Sequence, residues 1–357
     1  MYSFAGTGAK EYGCDFLRQP EIHFQSTVER LLVGMISDIS RIRVGDDVLF
    51  YLQQSKGHEG LFFGCFKVAS EPFLASDDYL GDQLGKNLTF RVLLSPSGVY
   101  SRGATERECL DSLNGINHPS EMCWSLIYRK LKGNRGCTMI TDFEFSHILN
   151  RIKCNNQAVL PDGSLSYNLD NNEIKISNSE TPLYSGQMSS LDIKDRLLFK
   201  LTDNKAYESH LQAYILQNLE AIPALKLSDL PIAWIGNEVS CGVGMQSIDV
   251  MFTQEDETAI NFIICELKDE QPQPYIKAQI KKYVGWIKEY LAPLFSKQVI
   301  INPTIVAPMP NDESLNLFYT IRNNTRTVEK NIEVSPIRYI GFNCDNDVIN
   351  FKEITNG

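Results

Sequence analysis

No apolar run in this chain approaches the ~20 residues a helix needs to cross a bilayer, so no membrane-spanning helix is expected. The opening residues, Met1-Tyr-Ser-Phe-Ala-Gly, lack a basic region followed by an apolar stretch, and no secretion signal is expected. Paired cysteines are missing too. There are nine cysteines, an odd number with no Cys-x-x-Cys, which reads as reduced thiols in a cytoplasmic protein. The five histidines are scattered, whereas structural zinc needs clustered Cys and His ligands, so none is expected. A phosphate loop with Gly-Lys-Ser/Thr is absent, and Gly242-Val-Gly244 lacks the third glycine and the helix of a dinucleotide site. No nucleotide cofactor is expected. A Gly-x-Ser-x-Gly elbow is also absent.

An excess of positive charge is lacking as well. The chain carries a formal net charge of −10. Residues 1–155 hold 17 Lys+Arg against 18 Asp+Glu, and residues 156–357 hold 17 against 26. This argues against tight non-specific binding to nucleic acid. It does not forbid DNA as a partner, because a local basic groove makes phosphate contacts and a metal site needs carboxylates.

What is present suggests two domains. A chain of 357 residues with 43% apolar residues is long enough for two cores. The expected division is a recognition domain over 1–155, a linker over 156–195 rich in Asn, Ser, Asp and Gly, and a second domain over 196–357. The linker contains the turn Leu160-Pro-Asp-Gly-Ser and a short hairpin near Glu173-Ile-Lys-Ile-Ser.

In the first half, Asp47-Val-Leu-Phe-Tyr-Leu and Leu61-Phe-Phe-Gly-Cys-Phe-Lys-Val predict a hairpin, and Phe90-Arg-Val-Leu-Leu a third strand. The spacing of Phe145, Ile148, Leu149 and Ile152 predicts a helix. Together they suggest a β-barrel with flanking helices. In the second half the pattern is helix (207–222), strands (247–252 and 260–268), helix (275–291, stopped by Pro293) and strand (299–307). The expected fold class is α/β in two domains, the second a mixed sheet flanked by helices.

The chemistry concentrates in the second half. Residues i and i+2 of a strand share a face, so Glu266 and Lys268 project together. If the preceding strand pairs as a hairpin, Asp249 comes beside Glu266. Paired carboxylates repel unless a cation lies between them, and hard cations such as Mg²⁺ choose oxygen ligands. A neighbouring lysine can orient or help deprotonate an attacking water and offset phosphate charge. Glu208, at a helix start, adds a further carboxylate. Gln279 and Tyr283 lie four apart on one helical face. Taken singly these residues have ordinary uses: Glu-x-Lys is commonly a solvated pair, and Tyr283 a packing ring.

The order Tyr207-Glu-Ser-His-Leu-Gln, Ser247-Ile-Asp, Ile264-Cys-Glu-Leu-Lys and Gln279-Ile-Lys-Lys-Tyr-Val resembles the PD-(D/E)XK nuclease superfamily. Within it, the sequence looks most like the NucS/EndoMS-like endonuclease domain, over roughly residues 200–307. The resemblance implies that Asp249 and Glu266 hold Mg²⁺ and that Lys268 stands beside the nucleophilic water. Glu208 would be the helical acid, and Gln279 with Tyr283 the accessory motif. Products would carry a 5′-phosphate.

In the first half, Arg43-Val-Gly-Asp-Asp-Val-Leu-Phe-Tyr, Gly60-Leu-Phe-Phe-Gly-Cys-Phe-Lys-Val, Leu131-Lys-Gly-Asn-Arg-Gly and Thr141-Asp-Phe-Glu-Phe-Ser-His-Ile resemble the PUA/EVE group of small barrels. That resemblance implies a slot for a flipped, modified base. Candidate residues are Tyr51, Phe63, Tyr100 and Trp124, with Arg135 on phosphate.

The expectation is therefore a Mg²⁺-dependent, restriction-like DNA endonuclease acting on double-stranded DNA as a homodimer, since two strands need two cuts. Three alternatives stay open: a repair enzyme for mismatched or branched DNA, a binding protein with a decayed nuclease domain, and a protein-binding module.

Overall fold

The computed structural model describes residues 13–54, 59–75, 89–111, 115–123, 137–168, 170–179, 184–202, 206–241, 246–322 and 327–355. Trp124, Arg135, the loop 131–136 and the Gly242-Val-Gly244 segment lie outside the described residues. The chain divides into two compact units, Met1–Leu191 and Asp192–Gly357. Among the described residues, no helix is long and apolar enough to cross a membrane.

The first unit opens with helices α1 (Gly13–Arg18) and α2 (Ser26–Ser40). Strands β1 (Asp47–Leu52) and β2 (Leu61–Val68) then form the expected antiparallel hairpin. Tyr51 stands opposite Phe62, and Phe50 opposite Phe63. Alternation along the pleat therefore sends Tyr51 and Phe63 to opposite faces. Each face has its own core. Phe62 packs with Cys109, Ile148 and Ile152, whereas Phe63 packs with Phe66, Val99 and Ile174.

Short strands β3 (Phe73–Ala75), β4 (Phe90–Arg91), β5 (Leu94–Pro96) and β6 (Ala104–Thr105) follow, then helices α3 (Glu106–Asp111) and α4 (Asp142–Cys154). Helix α4 starts where sequence places it. The Thr141 hydroxyl accepts from the Glu144 N–H while Glu144 accepts from the Thr141 N–H, satisfying two end donors reciprocally.

Three expectations for this unit differ from what forms. The described strands make no closed barrel. They divide among open sheets, β1-β2-β5 with β6 also on β2, β4-β3-β9, and β7-β8, where β7 is Leu165–Asn168, β8 Glu173–Ile176 and β9 Met188–Ser190. A barrel requires continuous pairing around its circumference. The stretch expected as one strand from Phe90 to Leu94 instead changes sheet: Phe90 and Arg91 pair with β3, and Leu94 with β2. Residues 156–191, anticipated as a linker, group with the first unit. Its β7-β8 hairpin sends Ile174 into the Phe63 core, with Leu160 and Leu165 packed against it, and β9 pairs with β3.

The second unit comprises α5 (Lys194–Thr202), α6 (Glu208–Asn218), β10 (Ile232–Ser240), β11 (Ser247–Glu255), β12 (Ala259–Leu267), α7 (Ile276–Trp286), β13 (Gln298–Pro308), α8 (Asp312–Arg322) and strands β14 (Thr327–Glu329), β15 (Ile332–Val334), β16 (Arg338–Asp345) and β17 (Val348–Glu353). The strands form one eight-stranded mixed sheet. β11 is antiparallel to both β10 and β12, and β13 lies parallel to β12. The parallel pair needs a crossover, which α7 supplies.

Each face of the sheet is covered. Leu211, Ile215 and Leu216 of α6 pack on Val250, Phe252, Ile263, Cys265 and Leu267. On the other face, Ile276 and Ile280 of α7 pack with Ile305, Ala307 and α8. Strands buried on both sides account for the unbroken apolar run 262–265 better than a half-exposed strand would.

Candidate active site

The β11–β12 ladder pairs Val250 with Cys265 and continues inward from there. Extending that register one step outward places Asp249 opposite Glu266. Directly opposed residues share a face, with Cβ atoms roughly 5 Å apart. Val250 and Cys265 belong to the α6 core, so Asp249 and Glu266 point to the α7 side. The ladder yields at this point: the Leu267 N–H donates to Asp249 Oδ2 at 2.7 Å, and the Lys268 N–H donates across to Val306 O. Asp249 thus closes the end of the strand pair with its own side chain.

Glu266 is 2% exposed, and both its oxygens are engaged. Lys268 Nζ donates to Oε1 at 2.7 Å, and the Tyr283 hydroxyl donates to Oε2 at 2.9 Å. Gln279 Nε2 donates in turn to the Tyr283 oxygen at 2.6 Å. The pair four apart on α7 therefore acts as a two-link brace that fixes Glu266 from behind. Lys268 Nζ also donates to Leu267 O at 2.8 Å and lies 3.7 Å from Glu208 Oε2. The structure brings together all six residues singled out in this half.

Sequence reasoning missed a further group. Glu238 on β10 has φ of +49°, a conformation that costs a non-glycine residue about 1 kcal/mol or more. The β10–β11 ladder skips it, pairing Asn237 with Val250 and Val239 with Ile248. The Asp249 carbonyl is instead satisfied by Gln212 Nε2 at 2.8 Å. Gln212 also reaches Glu238 Oε1 at 3.2 Å, and Ser247 Oγ donates to Glu238 Oε2 at 2.7 Å. Gln212 was within reach of sequence reasoning, since it lies four residues after Glu208 on one helical face. Glu238 was not, because a local backbone reversal inside a strand leaves no trace in composition.

Four carboxylates and one ammonium make a site with surplus negative charge. Burial pushes the Asp249 carboxyl well above the usual carboxylate range; Glu266, Glu208 and Glu238 push the same way, and only the Leu267 N–H opposes them. Burial likewise raises Glu208, against the pull of Lys268. For Lys268, burial disfavours the charge, but Glu266, Glu208 and Asp249 outweigh it and hold the side chain as an ammonium. Burial and Glu266 together drive the Tyr283 phenol strongly upward, so it donates rather than ionises.

Among the described residues, no three His, Cys, Asp or Glu side chains converge as a ready-made metal nest. Mg²⁺ does not require one, since it binds through one or two carboxylates and keeps several waters. The donors here are all oxygen, and their charge exceeds what Lys268 neutralises. In chemical kind, Asp249 and Glu266 fit that ion.

Of the described candidates in the first unit, Tyr51 and Tyr100 pack against one core and Phe63 sits in another. The Tyr51 hydroxyl donates to Glu106 Oε2 at 2.9 Å, and its ring tilts against Phe62 at 4.9 Å. Phe63 is buried and meets Tyr167 edge-on. Tyr100 packs half-buried against the Phe62 core. Tyr51 and Phe63 lie on opposite faces of their sheet, so they cannot line one slot.

Comparison with known protein families, curated proteins and solved structures returns no match for this chain.

Loss of the Tyr283 hydroxyl tests the brace. Tyr283→Phe leaves Glu266 Oε2 and the Gln279 amide without their shared partner. The expected destabilisation is about 1–3 kcal/mol, read by urea unfolding of the two proteins.

Proposed function

We propose that the second unit is a Mg²⁺-dependent endodeoxyribonuclease that hydrolyses phosphodiester bonds in double-stranded DNA. The observation that carries this reading is the facing of Asp249 and Glu266 across adjacent strands with Lys268 between Glu266 and Glu208. Asp249 and Glu266 would hold the Mg²⁺, which supplies Lewis-acid polarisation of a phosphoryl oxygen and a more acidic water.

The chain's own groups do the rest. The Lys268 ammonium orients the attacking water by donating to it and offsets charge building on the phosphate. Glu208, whose Oε2 lies 3.7 Å from Lys268 Nζ and whose proton affinity burial raises, would take the proton that the water releases. Gln279 and Tyr283 keep Glu266 aimed, and Gln212 fixes the Asp249 main chain. Cleavage of both strands uses two copies of the chain, one centre per strand.

The test is incubation of supercoiled plasmid, linear duplex and single-stranded DNA with the protein in Mg²⁺ and in EDTA. Nicking and linearisation of duplex DNA in Mg²⁺ alone is the expected result. Cutting that persists in EDTA, or no cutting of any DNA, overturns the reading.

A further inference from the structure

The second unit is acidic, with 16 Lys+Arg against 22 Asp+Glu over residues 192–357. Its positive charge is unevenly placed. The stretch from Ile276 through Leu291, α7 and the π-helical turn after it, holds four lysines and one glutamate. Lys288 is paired with Glu329 at 3.2 Å, and elsewhere in the unit Lys226, Lys297 and Arg338 each face a carboxylate. Lys277, Lys281 and Lys282 face none among the described residues, and neither do Lys194, Lys330 and Lys352, but only the α7 three are grouped on one helix. Lys281 and Lys282 are exposed, and Lys277 is half-buried.

These positions break local rules of helix stability. Lys277 and Lys281 repel each other at i,i+4. Both sit in the N-terminal half of α7, whose first turn contains no acidic residue, so Lys277 opposes the helix dipole. Each conflict costs a few tenths of a kcal/mol, and no carboxylate among the described residues pairs with these lysines to offset it. A local rule broken without compensation marks a position used for something other than folding.

The same helix carries Gln279 and Tyr283 on its inner side, where Tyr283 reaches Glu266. α7 follows directly from the strand end that holds Glu266 and Lys268. α7 is thus the helix that both touches the carboxylate site, through Tyr283, and carries the lysine group.

We propose that Lys277, Lys281 and Lys282 form the phosphate track of this protein, contacting the DNA backbone that flanks the bond placed at Asp249 and Glu266. The inference rests on the nuclease reading and adds to it the surface that engages the duplex. It also resolves the acidic balance: binding is confined to the outward face of one basic helix, while the rest of the unit repels DNA held out of register.

The experiment measures binding of a labelled duplex by fluorescence anisotropy over a range of salt, in EDTA. The proteins are wild type, the triple Lys277→Gln/Lys281→Gln/Lys282→Gln, and the control triple Lys194→Gln/Lys330→Gln/Lys352→Gln with the same change in net charge. Each lost phosphate contact lowers the slope of log affinity against log salt by about 0.9. The α7 triple is expected to lose roughly 2–3 from that slope and about 10–100-fold in affinity at moderate salt, and the control triple to keep the wild-type slope. A wild type that binds and cuts DNA alongside an unchanged α7 triple overturns the track alone. Equal losses in both triples do the same. A wild type that neither binds nor cuts duplex DNA overturns the nuclease reading and the track together.

Discussion

Asp249→Asn is expected to lower DNA cleavage by roughly 1000-fold or more, the scale on which preorganised charge stabilisation is lost, and at the same time to make the protein more stable. Asn can still accept the Leu267 N–H that Asp249 accepts at 2.7 Å, so the strand end keeps its closure. What disappears is a buried negative charge facing Glu266. The Asp249 carboxyl titrates well above the usual range because of burial and then Glu266, so the folded protein holds that proton more tightly than the unfolded chain does. Its contribution to stability is complete below the unfolded carboxyl value, about 4. It is lost as pH rises through the raised folded value. Metal-free wild type should therefore lose stability across that window, and Glu208, raised in the same direction by burial, adds to the slope. Asp249→Asn flattens the profile and gains about 0.5–2 kcal/mol at neutral pH, a usual return for relieving a functional compromise. Thermal unfolding between pH 4 and 8 in EDTA measures it. A variant as unstable as wild type at neutral pH would mean that the charge is already neutralised within the fold.

The second large effect concerns Lys268. Its ammonium is 12% exposed and bonds to Glu266 Oε1 and Leu267 O. Lys268→Met leaves Glu266 buried with one fewer partner, and removal of one member of a buried pair costs about 3–5 kcal/mol. Cleavage is expected to fall about 100–10,000-fold, the range for a positioned group acting on proton transfer and phosphate charge. Mg²⁺ should restore part of the stability but not the activity, because a cation at the carboxylates replaces the lost charge without replacing the donor to water. Lys268→Arg keeps the charge in a planar fork that cannot occupy the same point, so stability should recover more than cleavage. Equal recovery of both would reduce Lys268 to a structural counter-charge.

Much of the second unit was legible because its signals are periodic. The apolar strand ending in Glu266-Leu-Lys fixes which side chains share a face, and the Asp249–Glu266 facing follows from pairing with the strand before it. The α7 stripe made Gln279 and Tyr283 neighbours. The β10 strand and the C-terminal β14–β17 strands escaped notice, since short or interrupted segments such as Thr327–Glu329 give too few residues for a period to register.

In the first unit, aromatic residues on both faces of β2 produced a barrel-like pattern, yet the alternation that fills two cores also separates Tyr51 from Phe63. Composition misled at residues 156–191. Asn, Ser and Gly belong to turns there, while the few apolar residues between them, Leu160, Leu165 and Ile174, are the ones that anchor the segment. Glu238 illustrates a different limit: its role depends on one left-handed residue inside a strand, a feature set by tertiary context.

The most direct measurement of the central claim is calorimetric titration of Mg²⁺ at neutral pH into wild type, Asp249→Asn and Glu266→Gln, with unfolding temperature followed in parallel. Wild type should bind the ion and unfold at a higher temperature when it is bound, whereas each variant should lose both responses. Undiminished Mg²⁺ binding by Asp249→Asn and Glu266→Gln would contradict a cation shared between these two strands.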